Sequence, residues 1–130
     1  MKIHHIGYAV KNIDKARDIF ANLGFSFSEL VNDTSRNLYI QFGKNDSYRI
    51  ELLAKLDESK ESPIDSFIKK IGPTPYHFCY LTKNIEEDVK YFKNKGFIQT
   101  TIPCEAIAFG NKRVVFLYNN AIGLIELVED

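Results

Sequence analysis

The stretch His5 to Phe25, HIGYAVKNIDKARDIFANLGF, returns without a gap as His77 to Phe97, HFCYLTKNIEEDVKYFKNKGF. Nine of the 21 aligned positions are identical: His5/His77, Tyr8/Tyr80, Lys11/Lys83, Asn12/Asn84, Ile13/Ile85, Phe20/Phe92, Asn22/Asn94, Gly24/Gly96 and Phe25/Phe97. A shorter echo follows each copy: Ile50-Glu51-Leu52 comes back as Ile125-Glu126-Leu127. Self-similarity of this kind marks one supersecondary unit used twice. Each copy opens with a histidine on a strand and closes with a glutamate on a strand.

Outward from that stretch, the periodicities give the elements. Lys2 to Val10 alternates as a strand, with Ile6, Tyr8 and Val10 on one face and His5, Gly7 and Ala9 on the other. Asn12 or Asp14 caps a helix whose apolar stripe is Ala16, Ile19, Phe20 and Leu23, and Gly24 ends it. Strands are expected over 25–31, 38–42 and 47–54, separated by a polar turn at 32–36 and by Gly43-Lys44-Asn45-Asp46. On the third strand Leu38, Ile40 and Phe42 share one face, Tyr39 and Gln41 the other. The first module is then β-α-β-β-β over about residues 1–54. A connector over about 55–75 carries a short helix opened by Ser62-Pro63 and closed near Ile71. The second module, about 76–130, repeats the pattern. Its longest irregular piece is 103–111, where Phe109-Gly110-Asn111 could fold over a ligand. The expected fold is α+β: a single domain over 1–130, in which two βαβββ modules form a curved mixed sheet.

Size and composition fit that reading. A half of about 60 residues is marginal alone, so two halves sharing a buried face make the better unit. The chain is 45% hydrophobic and 26% charged with zero net charge, an ordinary globular composition. The absence of a basic stripe argues against nucleic acid as a partner. No apolar run is long enough for a membrane span and no signal-type stretch opens the chain, so a cytoplasmic location is expected. Cys79 and Cys104 have neither metal nor redox spacing, and Cys79 reads as a small buried hydrophobe.

Parity points to a site. On all four strands the apolar neighbours of His5, Glu51, His77 and Glu126 claim the helix-covered side. The four polar side chains are left on the opposite side. If the modules are related by a pseudo-twofold axis, the four converge on one concave surface. Two imidazoles and two carboxylates suit a borderline divalent cation, with nickel or cobalt first and zinc or manganese next, and leave positions open for substrate. His4 has the other parity and no partner histidine in the second copy, so it reads as packing. Arg49, two residues before Glu51 on its face, is the first candidate for contact with a substrate anion. Tyr39 and Gln41 are further candidate substrate contacts.

HHIGYAVKNID at the start, YRIELLA with the following SPI, PYHFCY, and GLIELVE at the end together resemble the vicinal-oxygen-chelate superfamily, in its compact glyoxalase I and methylmalonyl-CoA epimerase branch. The resemblance covers nearly the whole chain. It implies His5, Glu51, His77 and Glu126 as ligands of a divalent metal, a small-molecule substrate held through adjacent oxygens, and a homodimer. It implies proton transfer next to a metal-chelated carbonyl, with Glu51 and Glu126 as ligands and bases and Glu126 the main base. The first expectation is a glyoxalase-I-like lyase acting on a thiol hemithioacetal (the lactoylglutathione lyase type). The alternative is a methylmalonyl-CoA epimerase acting on an acyl-CoA. A metal-free binding or resistance protein comes next, since it would not need four ligands. An extradiol-type oxygenase, with two histidines and one carboxylate on iron, stands behind it.

Overall fold

The computed structural model describes residues 1–130. Internal packing divides them into two compact units, one of His5–Tyr76 and one of Met1–His4 with His77–Asp130. The fold is α+β, with parallel and antiparallel pairing in each unit.

The first unit holds β1 (Ile3–Ala9, whose first two residues count with the other unit), α1 (Ile13–Asn22), β2 (Ser26–Phe27), β3 (Val31–Asp33), β4 (Leu38–Asn45), β5 (Tyr48–Lys55) and α2 (Asp65–Lys70). Its strands run β2-β4-β5-β1, with β3 also on β4. The second unit holds β6 (Thr74–Thr82, entering from the connector), α3 (Ile85–Asn94), β7 (Ile98–Gln99), β8 (Cys104–Ala106), β9 (Lys112–Asn119) and β10 (Gly123–Glu129). Its strands run β6-β10-β9-β7, with β8 also on β9. The first strand is parallel to the last one in both units: β1 to β5, and β6 to β10.

The repeated residues explain the repeated geometry. Asn12 Oδ1 accepts from Lys15 N–H at 3.0 Å, and Asn84 Oδ1 accepts from Glu87 N–H at 3.1 Å. Each contact satisfies one donor that a helix start leaves orphaned. The helices end alike. Gly24 and Gly96 adopt φ of 100° and 93°, open to glycine at little cost. Gly24 N–H bonds Ala21 O and Phe25 N–H bonds Phe20 O; Gly96 and Phe97 do the same to Lys93 O and Phe92 O. This is the Schellman pattern, and its customary apolar contact is present as Phe20 on Phe25 and Phe92 on Phe97. Asn45 and Asn119 then tie the hairpin ends back to the helix termini, donating to Leu23 O and Gly96 O.

Each helix covers one face of its sheet. Ile13 of α1 packs with Val10, Ile50, Leu52 and Ala54, and Phe20 and Tyr39 lie against them. Ile85 and Val89 of α3 pack with Val115, Leu117, Ile125 and Leu127. Fully burying one such side chain contributes about 1.5–3 kcal/mol. The expected stripe of α1 needs correction at two positions: Ile19 and Leu23 are 61% and 64% exposed. The contact is narrow and centred on Ile13, Ala16 and Phe20. At 100° per residue Ile19 and Leu23 fall on its flank.

The second strand of each module is broken in two. Phe27 faces Gly43 and Val31 faces Ile40, so four steps on one strand answer three on the other. In the second unit Gln99 faces Leu117 and Cys104 faces Val114, five steps against three. These are β-bulges, which a hydrophobic pattern alone does not reveal. The structure also places a 3-10 turn at Ile107–Phe109 in the expected loop, with Phe109 packed on a small cluster of Cys79, Ala106, Val114 and Val128. The half-buried His4 lies edge-on to Phe109, so its role is packing.

The connector is held in place. Asn37, buried and at φ 58°, donates from Nδ2 to the carbonyls of Asp57, Lys60 and Glu61 and accepts from Asp57 N–H at 2.8 Å. Ser62 and Asp65 bond each other reciprocally, and Lys55 pairs with Asp65. The helix starts at Asp65 rather than directly after Pro63, because residues 63–64 form a turn first.

Candidate metal and proton-transfer site

In the first unit Gly7 pairs with Glu51 across the parallel strands, and His5 lies one pleat before Gly7 on the same face. His5 Nε2 comes within 3.4 Å of Glu51 Oε1, and the residues are 1% and 4% exposed. In the second unit His77 Nε2 lies 3.0 Å from Glu126 Oε2, with residue exposures of 3% and 1%. Both pairs sit on the side of their strands away from the helix, as alternation requires: Ile50 and Leu52 in one unit, and Ile125 and Leu127 in the other, fill the helix side.

A carboxylate this buried needs a compensating positive charge or full hydrogen bonding. The spacing within each pair suits a shared cation. Two donors adjacent on an ion with bonds of about 2.1 Å lie about 3.0 Å apart in an octahedron and about 3.4 Å apart in a tetrahedron. Each unit therefore carries a histidine–glutamate pair able to give one nitrogen and one oxygen to a divalent ion.

The other candidate residues separate by face. Arg49 is half-buried on the Glu51 side of β5, and Lys44 pairs with it. Tyr39 and Gln41 are on the other side of the sheet. They pair with Ala54 and Leu52, which pack under α1. Gln41 is 6% exposed and donates to Ser28 O at 2.8 Å, so it holds the bulge. Arg113 is engaged elsewhere: it bonds Glu129 and Glu86, which raises its own pKa and holds both carboxyls below their ordinary range.

Two residues beside the pairs escaped the sequence reading. Phe42 pairs with Glu51, and its ring lies edge-on to His5 at a centroid distance of 5.4 Å. Phe116 pairs with Glu126, and its ring meets His77 the same way at 5.3 Å. The signal was register: a count across each hairpin sets a phenylalanine opposite each glutamate.

The sequence profile of the glyoxalase/bleomycin resistance protein/dioxygenase superfamily matches residues 4–116. The chain belongs to that superfamily. Among solved structures, a hypothetical protein from Bacillus halodurans C-125 is 29% identical, with a TM-score of 0.87 over 99% of this chain and 94% of that one. Methylmalonyl-CoA epimerase from Mycobacterium tuberculosis is 24% identical, with a TM-score of 0.83 over 98% of this chain and 87% of its own. A Streptomyces coelicolor methylmalonyl-CoA epimerase variant, in complex with 2-nitronate-propionyl-CoA, is 21% identical, with a TM-score of 0.85 over 100% and 97%. At those identities the two epimerases show a shared fold. No match was found among curated proteins. No helix is long and apolar enough to cross a membrane.

Proposed function

We propose that this superfamily member is an acyl-CoA epimerase of the methylmalonyl-CoA type, with His5, Glu51, His77 and Glu126 as the ligands of one divalent cation. The observation that carries the reading is the doubled, buried histidine–glutamate pair. The donor set fits the ion: two imidazoles and two carboxylates suit nickel, cobalt, zinc or manganese. When bound, the ion supplies Lewis acidity to a carbonyl oxygen and so acidifies the neighbouring C–H.

The residues do the rest. Inverting a carbon next to a thioester requires removing its proton and returning one to the opposite face. That takes two acid/base groups, and the duplication provides two glutamates. Glu126, as carboxylate, takes the proton from carbon; Glu51, released from the ion and protonated at that stage, gives its own proton to the opposite face, and turnover in the reverse direction restores both groups. His5 and His77 would hold the ion beside the carboxylates. The epimerase branch usually carries a further acid/base glutamate in the region where residues 31–36 stand here; the carboxylate present is Asp33, 3% exposed and accepting from Ser35 Oγ and Arg36 N–H in a local turn.

The comparisons favour this reading over the glyoxalase-I-like one. Several of the similar structures are methylmalonyl-CoA epimerases. The test is to load the protein with cobalt and incubate it with one epimer of methylmalonyl-CoA in D2O. Deuterium at the carbon next to the thioester, together with the second epimer, is the expected result. Turnover of methylglyoxal hemithioacetals without any such exchange would return the chain to the glyoxalase reading.

A further inference from the structure

We infer that Phe42 and Phe116 are positioning residues that fix the ring orientation of His5 and His77 for metal binding, an inference resting on the metal reading above. The same device occurs once in each unit. Phe42 pairs with Glu51 across β4 and β5, and Phe116 with Glu126 across β9 and β10. Each phenylalanine thus shares a face with the carboxylate beside it. The ring planes of phenylalanine and histidine stand at 75° in one unit and 88° in the other, with centroids 5.4 and 5.3 Å apart. Edge-to-face contact is the arrangement that the ring quadrupole favours.

A strand histidine can swing about its outer torsion, which is broad and roughly two-fold. A perpendicular ring alongside narrows that range. It keeps Nε2 directed at the carboxylate oxygen, 3.4 Å away in one unit and 3.0 Å in the other. It also shields the nitrogen–oxygen pair from water. Groups that orient a metal-bound histidine usually work through a hydrogen bond to its other nitrogen. Here packing against a perpendicular ring supplies a restraint of another kind. The backbone supports it in both copies: Phe42 O accepts from Ser28 N–H and Oγ, and Phe116 O accepts from Thr100 N–H and Oγ1.

The test compares Phe42→Leu and Phe116→Leu, which keep apolar bulk and lose the ring, with Phe42→Tyr and Phe116→Tyr, which keep the ring. Cobalt affinity is read by titration, and site geometry by the visible spectrum of the bound cobalt. Each leucine variant should bind cobalt about 10-fold more weakly, with a shifted spectrum, and each tyrosine variant should restore both. Phe42→Met and Phe116→Met replace any leucine variant whose metal-free melting shows it unfolded. Leucine or methionine variants with wild-type affinity and spectrum would overturn this inference alone. A wild-type protein that binds no cobalt would overturn the metal reading beneath it.

Discussion

The two units keep some features of their common pattern and diverge in others, and the division follows what each copy must do. Both retain the asparagine cap, the glycine stop, the asparagine that ties hairpin to helix, and the histidine–glutamate–phenylalanine group. These fix one helix on one sheet and one donor pair beneath it. The units differ at the bulge, with one extra residue in the first and two in the second, and in the segment that follows. There the first unit has Asn37 gripping the connector, while its counterpart Asn111, at φ 65°, exposes its side chain. A duplicated unit holds to its pattern where both copies need the same contact. It drifts where one copy alone must receive a connecting segment.

The comparison breaks most sharply at the carboxylates. Glu126→Gln should lower turnover by about 10²–10⁴, and Glu51→Gln should act in the same direction, since each is both ligand and proton carrier in the proposal. Isotope exchange at carbon separates their roles. With the epimer whose proton faces Glu126, Glu126→Gln should abolish proton removal while Glu51→Gln allows exchange without inversion; with the opposite epimer the two variants should trade behaviour. Equal exchange in both variants would erase the distinction.

Core truncation comes next. Leu52 and Leu127 are equivalent and fully buried. Alanine at either should cost about 2–5 kcal/mol in denaturant unfolding. A single shared transition in both variants would mean that the units melt as one; two separated transitions, with only one of them lowered in each variant, would mean that they do not.

Asn37→Ala and Asn111→Ala sharpen the contrast between the copies. Both substitutions put a side chain less suited to positive φ at that position, at about 1–2 kcal/mol. Asn37→Ala also removes the hydrogen bonds that hold the connector's backbone, each worth about 0.5–1.5 kcal/mol. Thermal melts should therefore rank Asn37→Ala as the worse of the two.

The smallest effect is one of pH. Hydrogen bonds from Ser62 hold the Asp65 carboxyl below its ordinary value of 3.8. A carboxyl lowered on folding stabilises the fold above its unfolded pKa, and that contribution fades as pH falls through the folded value. The gap in melting temperature between wild type and Asp65→Asn should be constant at neutral pH and close in acid. The second unit has a matching acid-sensitive contact, where Arg113 lowers Glu86 and Glu129.

Much of this was legible in the chain because the repeat displays it twice. His5, Glu51, His77 and Glu126 could be set on the side away from the helices by alternation alone, and Asn12, Gly24 and their copies marked the helix ends. What stayed hidden depends on register. Phe42 beside Glu51, and Tyr39 and Gln41 on the helix side, follow from how β4 pairs with β5. The bulges at 28–30 and 100–103 are invisible to periodicity. The exposure of Ile19 and Leu23 shows the same limit from the helix side. An apolar residue near the stripe is buried only if the sheet beneath is wide enough to reach it.

Leu81 N–H donates to Lys2 O at 2.9 Å, and Met1–His4 count with the unit formed by the end of the chain. Lys2 therefore waits for a partner 79 positions further along the chain (81 less 2) before this bond can close. Such long-range closure slows folding and leaves the leading segment unpaired meanwhile.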